Sequence, residues 1–186
     1  MNELLTALPK DDLRLFQSIC VLTDFEKGDM LIGEGTIATK MFFLEKGWCR
    51  SYFVKDGDDI TDFFFFEESF ATDYASLCGN KPSQLNLVCE ENVRALVIRS
   101  EDLNQLYRTN HRLSEVGRIM AEYSFLSIEE RMRMLHTESP ETKYQWMVTN
   151  FPTIFQRVPQ YHIASFLGVK PQSLSRIRAK IAGKIY

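Results

Sequence analysis

Between residues 21 and 100 the chain alternates short apolar runs with turn residues. VLTDF (21–25), MFFLEKG (41–47), CRSYFV (49–54), ITDFFFF (60–66), LNLVC (85–89) and VRALVIR (93–99) are rich in β-branched and aromatic side chains. Such residues fit a pleated, half-buried surface. Turn signals stand between the runs at Lys27-Gly28-Asp29, Gly33-Glu34-Gly35, Lys46-Gly47 and Asp56-Gly57-Asp58. Short strands at this spacing predict a sandwich, jelly roll or barrel. A helical period interrupts them around 73–79, and MNELLTALPKDDL (1–13) reads as a short amphipathic helix.

The period changes near residue 101. From 101 to 136 there is no Pro and one Gly, and helix formers dominate. Leu113, Val116, Met120 and Tyr123 recur at steps of 3, 4 and 3, which sets them on one helix face. That stripe can pack on its own β domain or on a second copy of the chain; on a long helix between two domains it is a candidate dimer interface. Ser139-Pro140-Glu141 is a helix start: a capping hydroxyl, Pro in the first turn, then an acid near the positive helix end. The helix is expected to run to Asn150, with Pro152 ending it.

The segment VPQYHIASFLGVKPQSLSRIRAKI (158–181) follows. With Gly168 at its centre, Ile163, Leu167, Val169, Leu174 and Ile177 are the apolar positions and Ala164 a small one. This is a helix-turn-helix pattern. Ala164 is small where a second helix crosses, Gly168 can take φ > 0 for the turn, and Leu174 and Ile177 form the inner face of the second helix. The plainer reading, two packed helices with a Gly between, does not require all seven positions.

Charge then changes the picture. The chain is net −3, yet no acid follows Glu141, so 142–186 carries +7 and 1–141 carries −10. Such asymmetry suggests that the basic part meets a polyanion; the alternative is a solvated basic face. The outer face of the second helix carries Gln172, Ser173, Ser175, Arg176, Arg178 and Lys180. Gln and Arg can pair with adenine and guanine edges, while Ser and Lys suit phosphates. A second class of function stays open: a degenerate sensor whose basic C-terminal part binds protein rather than DNA.

Composition and motifs narrow the remaining classes. Apolar content of 45% and charged content of 25% are ordinary for a soluble globular protein. No apolar run approaches the roughly 18–20 residues that span a membrane, and the N-terminus does not read as a signal peptide. Cys20, Cys49, Cys78 and Cys89 lack metal-cluster spacing, so reduced thiols in a cytoplasmic protein are expected. His111, His136 and His162 all lie outside 21–100, which removes a metal enzyme of the cupin type. GEGTIATK (33–40) lacks the GK[ST] of a phosphate loop. The chain is expected not to be an enzyme and to need no metal or cofactor.

The sequence resembles the bacterial Crp/Fnr family of transcription regulators over nearly its whole length. The residues that carry this are Val158-Pro159-Gln160, Ile163 through Val169, and Leu174-Ser175-Arg176-Ile177-Arg178, with looser echoes in Gly28-Asp29, Gly35 and Gly47. The resemblance implies an α+β chain in three parts. They are a cyclic-nucleotide-binding-like β-roll sensor domain over 1–108, a double-stranded β-helix of jelly-roll type; a dimerisation helix over 109–137; and a helix-turn-helix DNA-binding domain over 138–186. It implies a homodimer whose recognition helix, 171–182, reads a pseudo-palindromic operator in double-stranded DNA, with RNA polymerase as a candidate further partner. The family's base-contacting positions match Pro171, Gln172 and Arg176. Pro171 and Gln172 depart from the Arg then Glu of cyclic-AMP receptors, and Lys170 stands where Ser or Thr would cap the helix.

Nucleotide-binding members carry Gly-Glu and, about ten residues on, Arg followed by Ser or Thr. Here Thr72-Asp73 and Ser83-Gln84 stand in those places, and Lys81 is the nearby cation. Without the arginine a buried cyclic phosphate loses its main charge partner. Cyclic AMP is therefore not the expected effector; the pocket takes another small molecule or none. The family's iron–sulfur branch is not expected, because its N-terminal cysteine cluster is missing, and the β-hairpin wing of longer members is expected to be absent.

Overall fold

The computed structural model of the chain describes residues 8–182. The part of the expected N-terminal helix at 1–7 lies outside the described residues; a helix, α1, runs Lys10–Ser18. Eight strands follow: β1 (Cys20–Phe25), β2 (Met30–Ile32), β3 (Lys40–Lys46), β4 (Cys49–Lys55), β5 (Asp58–Phe65), β6 (Phe70–Ala71), β7 (Asn86–Cys89) and β8 (Val93–Arg99). They pair antiparallel in two four-stranded sheets, ordered β1-β8-β3-β6 and β2-β7-β4-β5. Helix α2 (Tyr74–Gly79) lies between β6 and β7 in sequence. The fold is mixed, with an antiparallel β-roll followed by helices.

The strand period explains the roll. Side chains alternate between faces, so Phe42 and Leu44 of β3, Val93 and Ala95 of β8, and Leu87 and Cys89 of β7 all enter one core with Ile32, Ala38, Cys49 and Ala71. The FFFF run splits the same way: Phe63 pairs with Phe65 at 5.0 Å and Phe64 with Phe66 at 6.4 Å.

Helices α3 (Ser100–Thr109) and α4 (His111–Thr137) divide what the sequence presents as one helical stretch. Asn110 makes the break. It leaves the helical conformation, and its Oδ1 accepts from Leu113 N at 3.1 Å, capping α4. Its Nδ2 donates to Asp12 Oδ1 at 2.6 Å, which ties α1 to the junction. Arg112 Nη1 donates to Asp12 Oδ2. Gly117 lets α4 approach Tyr107: a Cβ there would sit 2.6 Å from the ring.

The bond from Asn110, aided by Arg112, holds the Asp12 carboxyl below its usual range. A depressed folded pKa gives stability that is present above the unfolded value of about 3.9 and is lost as pH falls through the folded one. Asp12→Asn should therefore lower the thermal midpoint at pH 7, and the gap to the parent protein should close in acid below about pH 4. Melting curves across pH check this; a gap that is constant with pH would mean that the carboxylate charge contributes nothing.

The chain divides into two compact units, Met1–Tyr123 and Ser124–Tyr186. The boundary falls inside α4, which the sequence treats as a separate segment over 109–137. In the second unit, α5 (Pro140–Asn150), α6 (Ile154–Arg157), α7 (Gln160–Phe166) and α8 (Pro171–Ala182) follow. Ser139 Oγ accepts from Thr142 N at the start of α5. Met147, Ile154, Ile163, Ala164, Leu167 and Leu174 are each 0% exposed, and Trp146 stacks on Phe166 at 6.5 Å. Among the described residues no helix is long and apolar enough to cross a membrane.

Candidate nucleic-acid interface and sensor pocket

Helices α7 and α8 are joined by a tight turn. Gly168 sits at φ +64° with nothing near its Cβ position, so backbone conformation alone calls for glycine there. Val169 N donates to Ala164 O at 3.0 Å, which draws the turn back onto α7. Ala164 is fully buried and Val169 half-buried. Leu174 and Ile177 fix the inner face of α8, at 0% and 6% exposure.

The outer face follows from that. Gln172, Arg176 and Lys180 recur at steps of four, which stacks them along one side of a helix, and all three are exposed. Lys170, Pro171 and Ser175 are also exposed and Ser173 is half-buried. Lys170 supplies its carbonyl to Ser173 N and Leu174 N as the first acceptor of α8. Lys180 Nζ lies 3.5 Å from Glu141 Oε1 in an exposed pair, a contact that costs little to exchange for a phosphate.

Arg178 differs from the other outer-face residues. It is half-buried, its guanidinium lies 4.9 Å over the Phe155 ring, and Nη1 donates to Gln160 Oε1 at 3.4 Å. Gln160 Nε2 also reaches Pro171 O at 3.5 Å. Arg178 thus helps to hold α8 against α6 and the start of α7. Its spacing carries the signal: it stands four residues after Leu174, on the border of the inner face. The parts that Gln160 and Phe155 play in this clip are not signalled by the sequence.

The expected effector region is closed on itself. Asp73 is buried at the start of α2 and accepts from Ser76 N at 3.1 Å and from Ser83 Oγ at 2.7 Å. Ser76 Oγ donates to Lys81 O and accepts from Ala38 N. Ser83 exchanges backbone bonds with Gly35 and Thr36. Thr72 Oγ1 donates to Lys40 O at 2.9 Å. The structure thus brings Asp73 and Ser83 together, each engaged by the other, while Lys81 and Gln84 are exposed. A recess lined by Leu31, Ile32 and residues 36–40 holds about 120 Å³, below the roughly 300–1,000 Å³ of small-molecule sites.

The expected dimer stripe is also redistributed. Leu113 is buried with Phe16, Ile98, Leu103 and Leu106, and Val116 packs against the same cluster. Met120 is half-buried. Tyr123 is 63% exposed and is followed on α4 by exposed Phe125, Leu126, Ile128 and Met132. Exposed apolar side chains therefore continue over 123–132, with Tyr123 and Leu126 on one side of the helix and Phe125, Ile128 and Met132 on another.

Comparison with known proteins places these features in a common frame. Residues 22–110 match the cyclic nucleotide-binding domain family. No curated protein sequence matches the chain. Among solved structures, FixK2 from Bradyrhizobium japonicum superposes with a TM-score of 0.77 at 12% identity, covering 89% of this chain and 86% of that one. The c-di-GMP responsive global regulator CLP from Xanthomonas campestris gives 0.73 at 12%, covering 95% and 93%. A protein from Eubacterium rectale, described as a candidate regulator of the Crp/Fnr family, gives 0.71 at 14%, covering 97% and 87%. At these identities the likeness is one of fold.

Proposed function

We propose that this chain, a cyclic nucleotide-binding-type roll joined to helices in the fold of Crp/Fnr regulators, is a DNA-binding transcriptional regulator acting as a homodimer. The observation that carries the reading is the exposed face of α8. Gln172, Arg176 and Lys180 line one side of a helix whose other side is locked into a helix-turn-helix core, in a segment with no acidic residue after Glu141. An α-helix fits the major groove, where Arg reads guanine O6 and N7 and Gln reads adenine. Lys170 and Lys180 serve the phosphates. Arg178 acts from behind, keeping α8 in place.

Two-fold pairing through the exposed face of α4 would set two α8 helices about 34 Å apart on successive major grooves. Titration of the purified protein against a genomic fragment pool at several salt concentrations tests DNA binding. Specific retention with affinity falling steeply as salt rises is expected; retention that ignores salt would count against the assignment.

The sensor roll, on this reading, does not take cyclic AMP or cyclic GMP. Uncharged Ser83 stands where the phosphate-neutralising arginine would be, and its hydroxyl is already bonded to the Asp73 carboxylate. Calorimetric titration of either nucleotide should give no saturable heat at micromolar concentrations. A micromolar dissociation constant would overturn this and would point to Lys81 or backbone N–H groups as the phosphate ligand.

A further inference from the structure

Two thiols face each other inside the roll. Cys49 opens β4, Cys89 closes β7, and the antiparallel register sets them directly opposite. Both are free cysteines, 0% and 1% exposed, with 3.8 Å between the sulfurs. Directly opposed residues of an antiparallel pair keep their Cα atoms about 4.5–5.5 Å apart, within the roughly 4.4–6.8 Å that a disulfide spans. Side-chain rotation can therefore bring the sulfurs to bonding distance without a change of register. The residue that follows each cysteine in the chain adds a tie beside the pair: Arg50 Nε donates to Glu90 Oε1 at 2.6 Å.

We propose that Cys49 and Cys89 are a two-electron redox site that closes to an intramolecular disulfide when the protein meets a small neutral peroxide. One sulfur, as its thiolate, attacks the O–O bond; an S–O bond forms, the O–O bond breaks, and the departing hydroxide takes a proton to become water. The facing sulfur then attacks the sulfenic sulfur; the S–S bond forms, the S–O bond breaks, and a second water leaves. In sum two thiols and one hydrogen peroxide give one disulfide and two waters. The thiols lose two electrons and two protons, and the peroxide gains both.

Burial selects this chemistry over metal binding. The hydrogen bond that the Cys49 thiol shares with Cys89, and then burial, push the Cys49 thiol well above its usual range. A soft metal ion would require both sulfurs as buried thiolates, whereas a disulfide leaves no charge behind. The scarce thiolate also makes the reaction slow. Entry favours an oxidant near the size of water over a bulky, charged disulfide such as oxidised glutathione.

The site is independent of the DNA-binding reading and is tested apart from it. The full chain is treated with hydrogen peroxide, denatured, alkylated and mapped by mass spectrometry. The expected result is the loss of two alkylatable thiols, a peptide linking Cys49 to Cys89, and full recovery with dithiothreitol. Cys78→Ser, at an exposed position, should leave the link unchanged. Cys89→Ser should abolish it. Because a hydroxyl in the core can unfold the roll, Cys89→Ala is run beside it, with near-ultraviolet circular dichroism reporting the fold. Cys49 and Cys89 that stay fully alkylatable, sulfinic acid without a link, or links only between copies through Cys78 would each overturn the proposal.

Discussion

Leu126→Glu is expected to turn the proposed dimer into a monomer at micromolar concentration and to lower affinity for a two-half-site operator by about 10²–10⁴-fold. Leu126 is 58% exposed within one chain, so a glutamate there is solvated and the monomer keeps its fold. In a dimer sealed on the side of α4 that carries Tyr123 and Leu126, three residues apart, the same carboxylate is buried without a partner, which is costly. Each apolar side chain of that size contributes roughly 1.5–3 kcal/mol when removed from water, so the interface has a substantial driving force to lose. A monomer engages a single half-site and forgoes the gain from a second, tethered one. Leu113→Glu should behave differently: it puts a charge into the core around Phe16 and Leu106 and should unfold the roll. Light scattering and duplex titration separate the two. A Leu126→Glu protein that remains dimeric with unchanged affinity would remove α4 from the interface.

Arg176→Ala should cost about 1–3 kcal/mol on the cognate site and relax preference at one base pair in each half-site. Arg176 is exposed on the same side of α8 as Gln172 and Lys180, and its planar fork matches the two acceptors of guanine. Lys170→Ala should instead weaken binding to every sequence alike and reduce the salt slope by roughly one unit for each phosphate that is no longer neutralised. Arg178→Ala is a third case. Its guanidinium is committed to Phe155 and Gln160, so the change should appear as a less stable helix-turn-helix unit. Competition binding against single-base operator variants distinguishes reading from clamping. If Arg176→Ala weakened all sequences equally, Arg176 would be a phosphate ligand and base reading would fall to Gln172 and Ser173.

The β-roll and the helix-turn-helix were legible where a strong period meets distinctive turn residues. VRALVIR coincides with β8 (Val93–Arg99) and CRSYFV falls within β4. Ser139-Pro140 marks the start of α5 because capping is a local event. Met30–Ile32 and Phe70–Ala71 are not legible as strands, because runs of three and two residues are too short to show a period. Thr109-Asn110-His111 are weak helix formers and Asn is a favoured N-cap, but helical sequence on both sides masks the break that the bonds of Asn110 to Asp12 and Leu113 make plain.

The stripe Leu113–Val116–Met120–Tyr123 shows why function is harder to read than fold. Helical spacing says that these residues share a face, but not whether that face meets the chain's own core or a second copy. The N-terminal part packs at home, and the open apolar surface begins at Tyr123. Likewise Thr72-Asp73 and Ser83-Gln84 show a departure from the nucleotide-binding pattern in sequence. That Asp73 and Ser83 bond to each other is visible only in three dimensions.

The central claim, that the exposed face of α8 reads DNA in a two-fold assembly, is tested most directly by selecting fragments of the source genome on the purified protein and sequencing what is retained. The account predicts a shared pseudo-palindrome with half-site centres about 10–10.5 base pairs apart, retained more weakly and with preference relaxed at one base pair of each half-site when Arg176 is replaced by alanine. Fragments retained with no common motif, or the same motif retained by Arg176→Ala at equal affinity, would contradict it.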